Sequence, residues 1–283
     1  MRNSINVLSL FDGISAGQLA LQRAGINVKN YYASEVDVAA ISVTQNHFPN
    51  TIQLGDVTKW KEWNLPWNEI DLVIGGSPCQ GFSFAGKQLN FNDERSKLFF
   101  VFVDICHRVA DENSKMIFML ENVKMKKEYQ DVITKYLGVE PIIINSKLVS
   151  AQNRVRLYWT NIKNVIQPND KQILFKDIIN NNYQFKPLTK WFFKSWGSKI
   201  KIDTLRTINH DKSFCITTNR SHSKNYYLNS EKTMARMLER DEVETLQTFP
   251  IGYTNIASKT EAHKMLGNSW TVDVIAHIFS FLK

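Results

Sequence analysis

Short apolar runs that stop abruptly at a glycine or an acid, each followed by helical spacing, set the pattern of the first half of the chain. Ile5 to Phe11 is the first such run. It ends at Asp12-Gly13-Ile14-Ser15-Ala16-Gly17, and Gln18 to Gly25 continues with helical periodicity. Tyr31 to Ser34 predicts a second strand ending at Glu35, with a helix from Asp37 to Asn46. Thr51 to Leu54 predicts a third, ending at Gly55-Asp56-Val57, and Asp71 to Ile74 a fourth, broken by Gly75-Gly76-Ser77-Pro78. A helix over 96–110 then leads to a fifth strand, Met116 to Leu120, which ends at Glu121-Asn122-Val123. After a helix from Lys126 to Tyr136, Pro141 to Asn145 and Val155 to Thr160 read as a strand pair. Strands alternating with helices predict an α/β fold, a mainly parallel sheet with helices on both faces.

From Lys163 that rhythm fades into short Asn-, Lys- and aromatic-rich segments as far as Ser230. Arg236 to Thr248 resumes a helical pattern, and Val272 to Leu282 is an apolar helix whose simplest berth is a face of the first sheet. The division this predicts is a main domain over 1–165 and 262–283 and a small lobe over 166–261.

Composition narrows the class. The chain has 283 residues, 43% hydrophobic and 22% charged, an ordinary globular mix. Its longest apolar runs fall short of a membrane span, and the opening residues pass straight into a strand without a leader-like pattern. The three cysteines, Cys79, Cys106 and Cys215, form no C-x-x-C pair, which argues against a disulfide framework or a zinc cluster and fits a reducing, cytoplasmic setting. A net charge of +8 favours polyanionic partners such as nucleic acid or an anionic membrane surface. Lys and Arg between 186 and 240 are interleaved with Trp191, Phe192, Phe193, Trp196, Tyr226 and Tyr227, a mixture suited to phosphate contact and base stacking or, equally, to a solvated face over a small core.

The chemistry-bearing residues cluster at the strand ends. Cys79 follows a strand and a rigid turn, a common place for a nucleophile, although most free cysteines are small buried hydrophobes. Gly13 and Gly17 suit a nucleotide-binding turn, but Ser15 stands where a dinucleotide fingerprint has its second glycine, so an NAD-linked oxidoreductase is a remote reading. Glu35 is placed to meet a ribose hydroxyl pair and Asp56 an exocyclic amine; both are also ordinary turn or helix-cap acids. Glu121 ends the strand neighbouring the one that carries Cys79. Strand alternation predicts Arg154 and Arg156 on one face, for an anion or carbonyl or simply for surface ion pairs.

Taken in order, L-F-D-G-I-S-A-G, S-E-V, G-D-V, G-G-S-P-C-Q-G-F-S, R-S-K-L-F, E-N-V, Q-N-R-V-R, L-Q-T-F-P-I-G-Y-T and G-N-S-W resemble the motif set of the DNA cytosine-5 methyltransferases across nearly the whole chain. The compact length is similar to stand-alone bacterial or phage enzymes, and the D-G-I-S-A-G turn and the lobe resemble the animal de novo methyltransferases. The resemblance implies an S-adenosylmethionine-dependent Rossmann-like domain plus a target-recognition lobe. It implies that Cys79 attacks carbon 6 of cytosine, that Glu121 carries or shares a proton with ring nitrogen 3, and that Arg156 holds the exocyclic oxygen with Arg154 in support. S-adenosylmethionine would meet Phe11, Asp12, Gly13, Ile14, Gly17, Glu35, Val36, Asp56, Val57, Pro78, Leu98, Asn268, Ser269 and Trp270. Val36 departs from the aromatic residue that many bacterial members have there. The target cytosine must leave the double-stranded DNA helix to be reached. Gln80, Ser83, Gln88 and Arg95 would then line the closing loop, and Thr217, Thr218 and Arg220 would read bases, Arg220 at a guanine edge. The implied protein is a DNA-associated monomer, with a cognate restriction endonuclease as a partner in function only. The competing readings are a tRNA cytosine-5 methyltransferase and a DNA-binding relative that has lost catalysis.

Overall fold

The computed structural model describes residues 4–77, 94–188 and 205–282, the side chains at 94–96 and 223 excepted. The chain divides into two compact units. The first comprises Met1–Ile144, Val155–Gln167 and Asp273–Lys283. Its strands are β1 (Ile5–Leu10), β2 (Val28–Ser34), β3 (Ile52–Gln53), β4 (Ile70–Gly75), β5 (Ile117–Val123), β6 (Ile142–Asn145) and β7 (Val155–Thr160). They form one seven-stranded sheet in the order β3-β2-β1-β4-β5-β7-β6. The pairings from β3 through β5 are parallel, and β7 runs antiparallel to β5. Every residue of β1 is buried, as expected of a central strand covered on both faces.

The helices of this unit are α1 (Ala16–Arg23), α2 (Val38–His47), α3 (Glu94–Glu112) and α4 (Lys127–Leu137). On α3, Phe99, Phe102, Val103, Cys106 and Val109 recur at helical spacing and join Leu8, Leu10, Val73, Leu120, Leu157 and Trp159 in an extended apolar cluster. Burial pushes the Cys106 thiol pKa up, so this cysteine is core rather than chemistry. The C-terminal helix spans Val272–Phe279, and its residues from Asp273 on belong to this unit.

The second unit comprises Asn145–Arg154 and Pro168–Val272. A small sheet, β8 (Lys186–Pro187), β9 (Arg206–Thr207), β10 (Tyr226–Leu228) and β11 (Met234–Met237), runs in the order β8-β11-β10-β9. Helices α5 (Phe175–Ile178), α6 (Arg240–Leu246) and α7 (Lys259–Asn268) accompany it, and α8 is the C-terminal helix just described.

Two expectations change here. The helical pattern over 236–248 is a strand through Met237 followed by a helix from Arg240. Arg236 is drawn into the sheet because its guanidinium donates to both Glu242 oxygens, at 2.8 and 2.6 Å, and lies against the rings of Tyr183, Phe185 and Tyr227. The compact units also part at other places than 166 and 262. Residues 145–154 and the whole of α7 go with the second unit, where the Gln247 amide donates to the carbonyls of Leu266 (2.7 Å) and Ser269 (3.0 Å). No described helix is long and apolar enough to cross a membrane.

Candidate active site

In the first unit the chemistry-bearing residues lie where open α/β sheets bind ligands, at the carboxyl ends of the parallel strands. The turn after β1 is tightly wound: Phe11, Gly13 and Ser15 all take positive φ, at 58°, 60° and 55°. Glycine accepts this freely, whereas Phe11 and Ser15 do not and must be held. The holder is Asp12. Its buried carboxyl accepts from the hydroxyls of Ser9 (2.6 Å), Tyr31 (2.8 Å) and Ser15. Burial raises its pKa to about 6, while those three hydroxyls pull the other way. Asp12 thus braces the turn through its carboxyl, the residue itself being half-buried; Ile14 and Gly17 are buried.

Glu35, at the tip of β2, clamps the same turn from the side. Its Oε2 accepts from the Gly13 N–H at 2.8 Å, and its Oε1 from the N–H groups of Val36 and Asp37 at 2.7 and 2.8 Å. A carboxylate has about four acceptor positions, so it keeps capacity for a ligand hydroxyl. Next to it Val36 is 67% exposed, a bare apolar surface with no structural task of its own. Asp56 accepts from the Thr58 N–H and hydroxyl, both at 2.9 Å, and the Thr58 backbone bond lowers its pKa. Val57 is packed into the core cluster, so what it can present to a ligand is its backbone. Leu98 sits partly buried on α3.

Glu121 and Arg156 meet at the far side of the same sheet edge. In the antiparallel β5–β7 ladder Glu121 faces Tyr158 and Val123 faces Arg156, so the acid and the base are diagonal neighbours. Arg156 Nε lies 2.9 Å from Glu121 Oε1, with both side chains largely buried. Beside them, Asn122 Nδ2 reaches the hydroxyl (3.3 Å) and carbonyl (3.4 Å) of buried Ser77, tying the end of β5 to the turn that follows β4. That tie went unnoticed in the sequence, although Asn122 adjoins Glu121 and Ser77 lies two residues before Cys79. Pro78, Cys79, Gln80, Ser83 and Gln88 lie outside the described residues; Arg95 falls in the first turn of α3, its side chain outside them.

Arg154 departs from expectation. β7 begins only at Val155, and Arg154, outside it, is 3% exposed and belongs to the second unit. Its Nη2 donates to the carbonyls of Gly267 (3.2 Å) and Ser269 (2.8 Å) and its Nη1 to Cys215 Sγ (3.3 Å). The last carbonyls of a helix need donors from outside it, and this guanidinium supplies them for α7. Asn268 is exposed just there, with Ser269 and Trp270 half-buried. Thr218 is exposed, and Thr217 and Arg220 are half-buried; Arg220 lies 3.7 Å from Glu239, which also takes Lys259 at 3.0 Å. Among the described residues no three His, Cys, Asp or Glu side chains are grouped to hold a metal ion.

The family model for C-5 cytosine-specific DNA methylase matches residues 5–191 and 179–283. The chain belongs to this family. Among curated relatives, the orphan methyltransferase M.Rho11sI of Bacillus phage rho11s is 30% identical over 259 residues, 85% of this chain and 48% of that protein. M.SPRI, the orphan methyltransferase of Bacillus phage SPR, is 30% identical over 264 residues, 83% of this chain and 54% of its own length. The chain therefore spans about half the length of these two relatives. The type II methyltransferase M1.ScrFI of Lactococcus lactis subsp. cremoris is 27% identical over 95% of this chain and 75% of its own. Among solved structures, the Entamoeba histolytica methyltransferase EhMeth superposes with a TM-score of 0.75 at 18% identity, covering 99% of each chain. A Spodoptera frugiperda DNMT2 variant does so at 0.72 and 19%, again over 99% of each. The chain thus has the α/β fold of these methyltransferases: the α/β class agrees with its alternating strands and helices, and the methyltransferase type with the motif resemblance.

Proposed function

We propose that this protein transfers a methyl group from S-adenosylmethionine to carbon 5 of cytosine within a specific double-stranded DNA sequence. The observation that carries the reading is the buried Glu121–Arg156 pair at the sheet edge where β4 leads toward Cys79. Bound S-adenosylmethionine would supply an electrophilic methyl on a sulfonium. Glu35 and the Gly13 turn suit its ribose, Val36 its adenine face, and Asp56 with the Val57 backbone its adenine edge. Asn268, Ser269 and Trp270 remain cofactor contacts by resemblance.

The chain's own groups then have distinct tasks. The Cys79 thiolate adds to carbon 6 of a cytosine swung out of the helix, forming a carbon–sulfur bond and pushing electrons toward ring nitrogen 3. Glu121 supplies or shares the proton there, so the ring does not carry a full negative charge in a dry site. Arg156 binds the exocyclic oxygen and, through its ion pair, keeps Glu121 aimed. Carbon 5, now an enamine carbon, would accept the methyl group as its bond to the donor's sulfur breaks, the bonding pair staying on that sulfur as a neutral thioether. Loss of its proton to water then expels the thiolate and restores the double bond. Arg154 acts at one remove, by holding Gly267 and Ser269.

The test is transfer of tritiated methyl to genomic DNA and, in parallel, to tRNA, by wild type and Cys79→Ser. The expected result is label in DNA alone, lost at least 1,000-fold in the variant, about the size of losing a nucleophile. Label in tRNA alone would establish the RNA reading; full activity in Cys79→Ser would exclude the covalent route. A 5-fluorocytosine duplex is expected to trap wild type as a covalent adduct, which a binding-only relative would not form. Bisulfite sequencing of DNA from expressing cells then gives the target sequence.

A further inference from the structure

The segment 216–220, to which the reading above gives base recognition, has a built seat on α7. Gly267 is the first part. A Cβ placed on it would stand 2.7 Å from both the carbonyl carbon and oxygen of Thr217 and 2.8 Å from the Thr218 nitrogen. All three are backbone atoms, so only glycine lets this strip of chain lie so close to the helix. His263 is the second part. It precedes Gly267 by four residues, on the same face of α7. Its buried ring hydrogen-bonds the Thr217 backbone, and its Nε2 has no hydrogen-bond partner among the described residues. From the other side, fully buried Asn225 donates to Thr217 Oγ1 (3.0 Å) and the Asn219 carbonyl (2.7 Å) and accepts from the Thr217 N–H (3.3 Å). Gln152 takes the Ile216 N–H at 3.2 Å. The stretch is therefore fixed at its base, while Thr218 and Asn219 stand exposed at its crest. Arg220 is only loosely engaged: 3.7 Å separates it from a Glu239 that already holds Lys259 at 3.0 Å, so turning to a base edge would cost little.

We propose that His263 and Gly267 are positioning residues for target reading: together they seat the Thr217–Thr218 backbone and so aim Thr218, Asn219 and Arg220 at the bases of duplex DNA. This rests on the DNA-methylation reading above. Neither residue touches the base itself. Each acts by fixing where the segment lies, as a recognition contact of fixed geometry requires.

The experiment uses the full chain and a duplex carrying the sequence that wild type methylates, against duplexes altered at one base pair. In Gly267→Ala the ratio of kcat/KM between the mapped and altered duplexes is expected to narrow about tenfold, the size of one lost base contact, with KM for S-adenosylmethionine kept within about twofold. His263→Leu keeps apolar volume and removes the bond to Thr217; the same narrowing is expected, and it carries the test if Gly267→Ala does not fold. Amide exchange across 216–220, followed without DNA, is expected to quicken in both. Unchanged discrimination and unchanged exchange in a folded variant would overturn the proposal, as would equal losses for mapped and altered duplexes with a raised cofactor KM. Failure of the underlying reading looks different: wild type itself would then label no DNA.

Discussion

The two units hold their loops by contrasting means. In the first, the described loops after β1, β2 and β3 hang from strands already fixed by a parallel ladder, and carboxylates finish the work: Asp12 beneath the first turn, Glu35 beside it, Asp56 after β3. In the second, the strands are two to four residues long and give little purchase. Buried amides and ions take over. Gln152 and Gln247 bond each other at 2.9 Å and serve the backbone carbonyls of Leu246, Leu266 and Ser269. Glu244 collects the N–H groups of Gly252 and Thr254, at 2.7 and 2.8 Å. A ladder repeats one contact many times, so losing one side chain is local. A loop-built lobe satisfies each buried backbone group individually, and each loss leaves an orphan.

Apart from the Glu121–Arg156 pair at the candidate site, one ion pair from each unit shows the contrast. Arg236–Glu242 is 5% and 1% exposed at the side chains, whereas Arg23–Asp273 in the first unit is 30% and 22% exposed. Glu242→Ala strands a caged guanidinium and opens the cap of α6, where Glu242 also accepts from the Glu239 N–H at 2.9 Å. The expected loss is about 3–5 kcal/mol in urea unfolding. Asp273→Ala is expected to cost below about 1 kcal/mol. Equal costs would remove the distinction between the units.

Two buried titratable groups give the next test, and their signs are opposite. The Asp12 pKa in the folded chain, about 6, lies above the 3.8 of an unfolded carboxyl. The native state therefore holds that proton more tightly, and the stability Asp12 contributes is greatest below pH 3.8 and is lost as pH rises through 6. His263, lowered to about 4 from 6.5 by burial, does the reverse: its contribution is full above pH 6.5 and is lost as pH falls through 4. Between pH 7 and pH 5, wild type should gain about 1 kcal/mol relative to Asp12→Asn and lose about 2 kcal/mol relative to His263→Leu. Urea titrations at the two pH values read both slopes, and slopes of one sign would contradict these assignments.

The same contrast explains what was legible in the sequence. Strand ends of the first unit could be read because an apolar run that stops at glycine or acid is a local signal, and Gly13, Glu35, Asp56 and Glu121 all stand at such stops. The tasks of those residues were harder to see. Glu35 spends three acceptor positions on the N–H groups of Gly13, Val36 and Asp37 before any ligand arrives, and the Asp12 carboxyl takes the hydroxyls of Ser9, Tyr31 and Ser15, the last of which has a positive φ. In the second unit local signals misled. Arg236 carries helical spacing, but a carboxylate six residues on and three aromatic rings draw it into a sheet. Arg154 alternates with Arg156 on paper, yet it serves carbonyls more than 110 residues away. The contact of His263 and Gly267 with Thr217 spans a distance in sequence that no periodicity reports.

The smallest effect compares one dihedral in both units. Ser15 and Lys232 each have φ of 55°. Lys232 is exposed in the turn between β10 and β11, where its own N–H donates to the Asn229 carbonyl at 3.1 Å, a bond any residue keeps. Lys232→Gly relieves a left-handed cost of about 1 kcal/mol and adds somewhat less in unfolded-chain entropy, for a net gain of about 0.5 kcal/mol. Ser15→Gly relieves the same angle but removes the hydroxyl that donates to buried Asp12. A hydrogen bond to an acid in that setting is worth about 1.5 kcal/mol or more, so the net should be a loss of about 1 kcal/mol. Thermal unfolding of the two variants side by side decides the matter. Gain at Lys232 with loss at Ser15 means that the first turn is held from beneath by its polar strut, whereas gain at both would mean that the ladder alone suffices and Asp12 holds nothing.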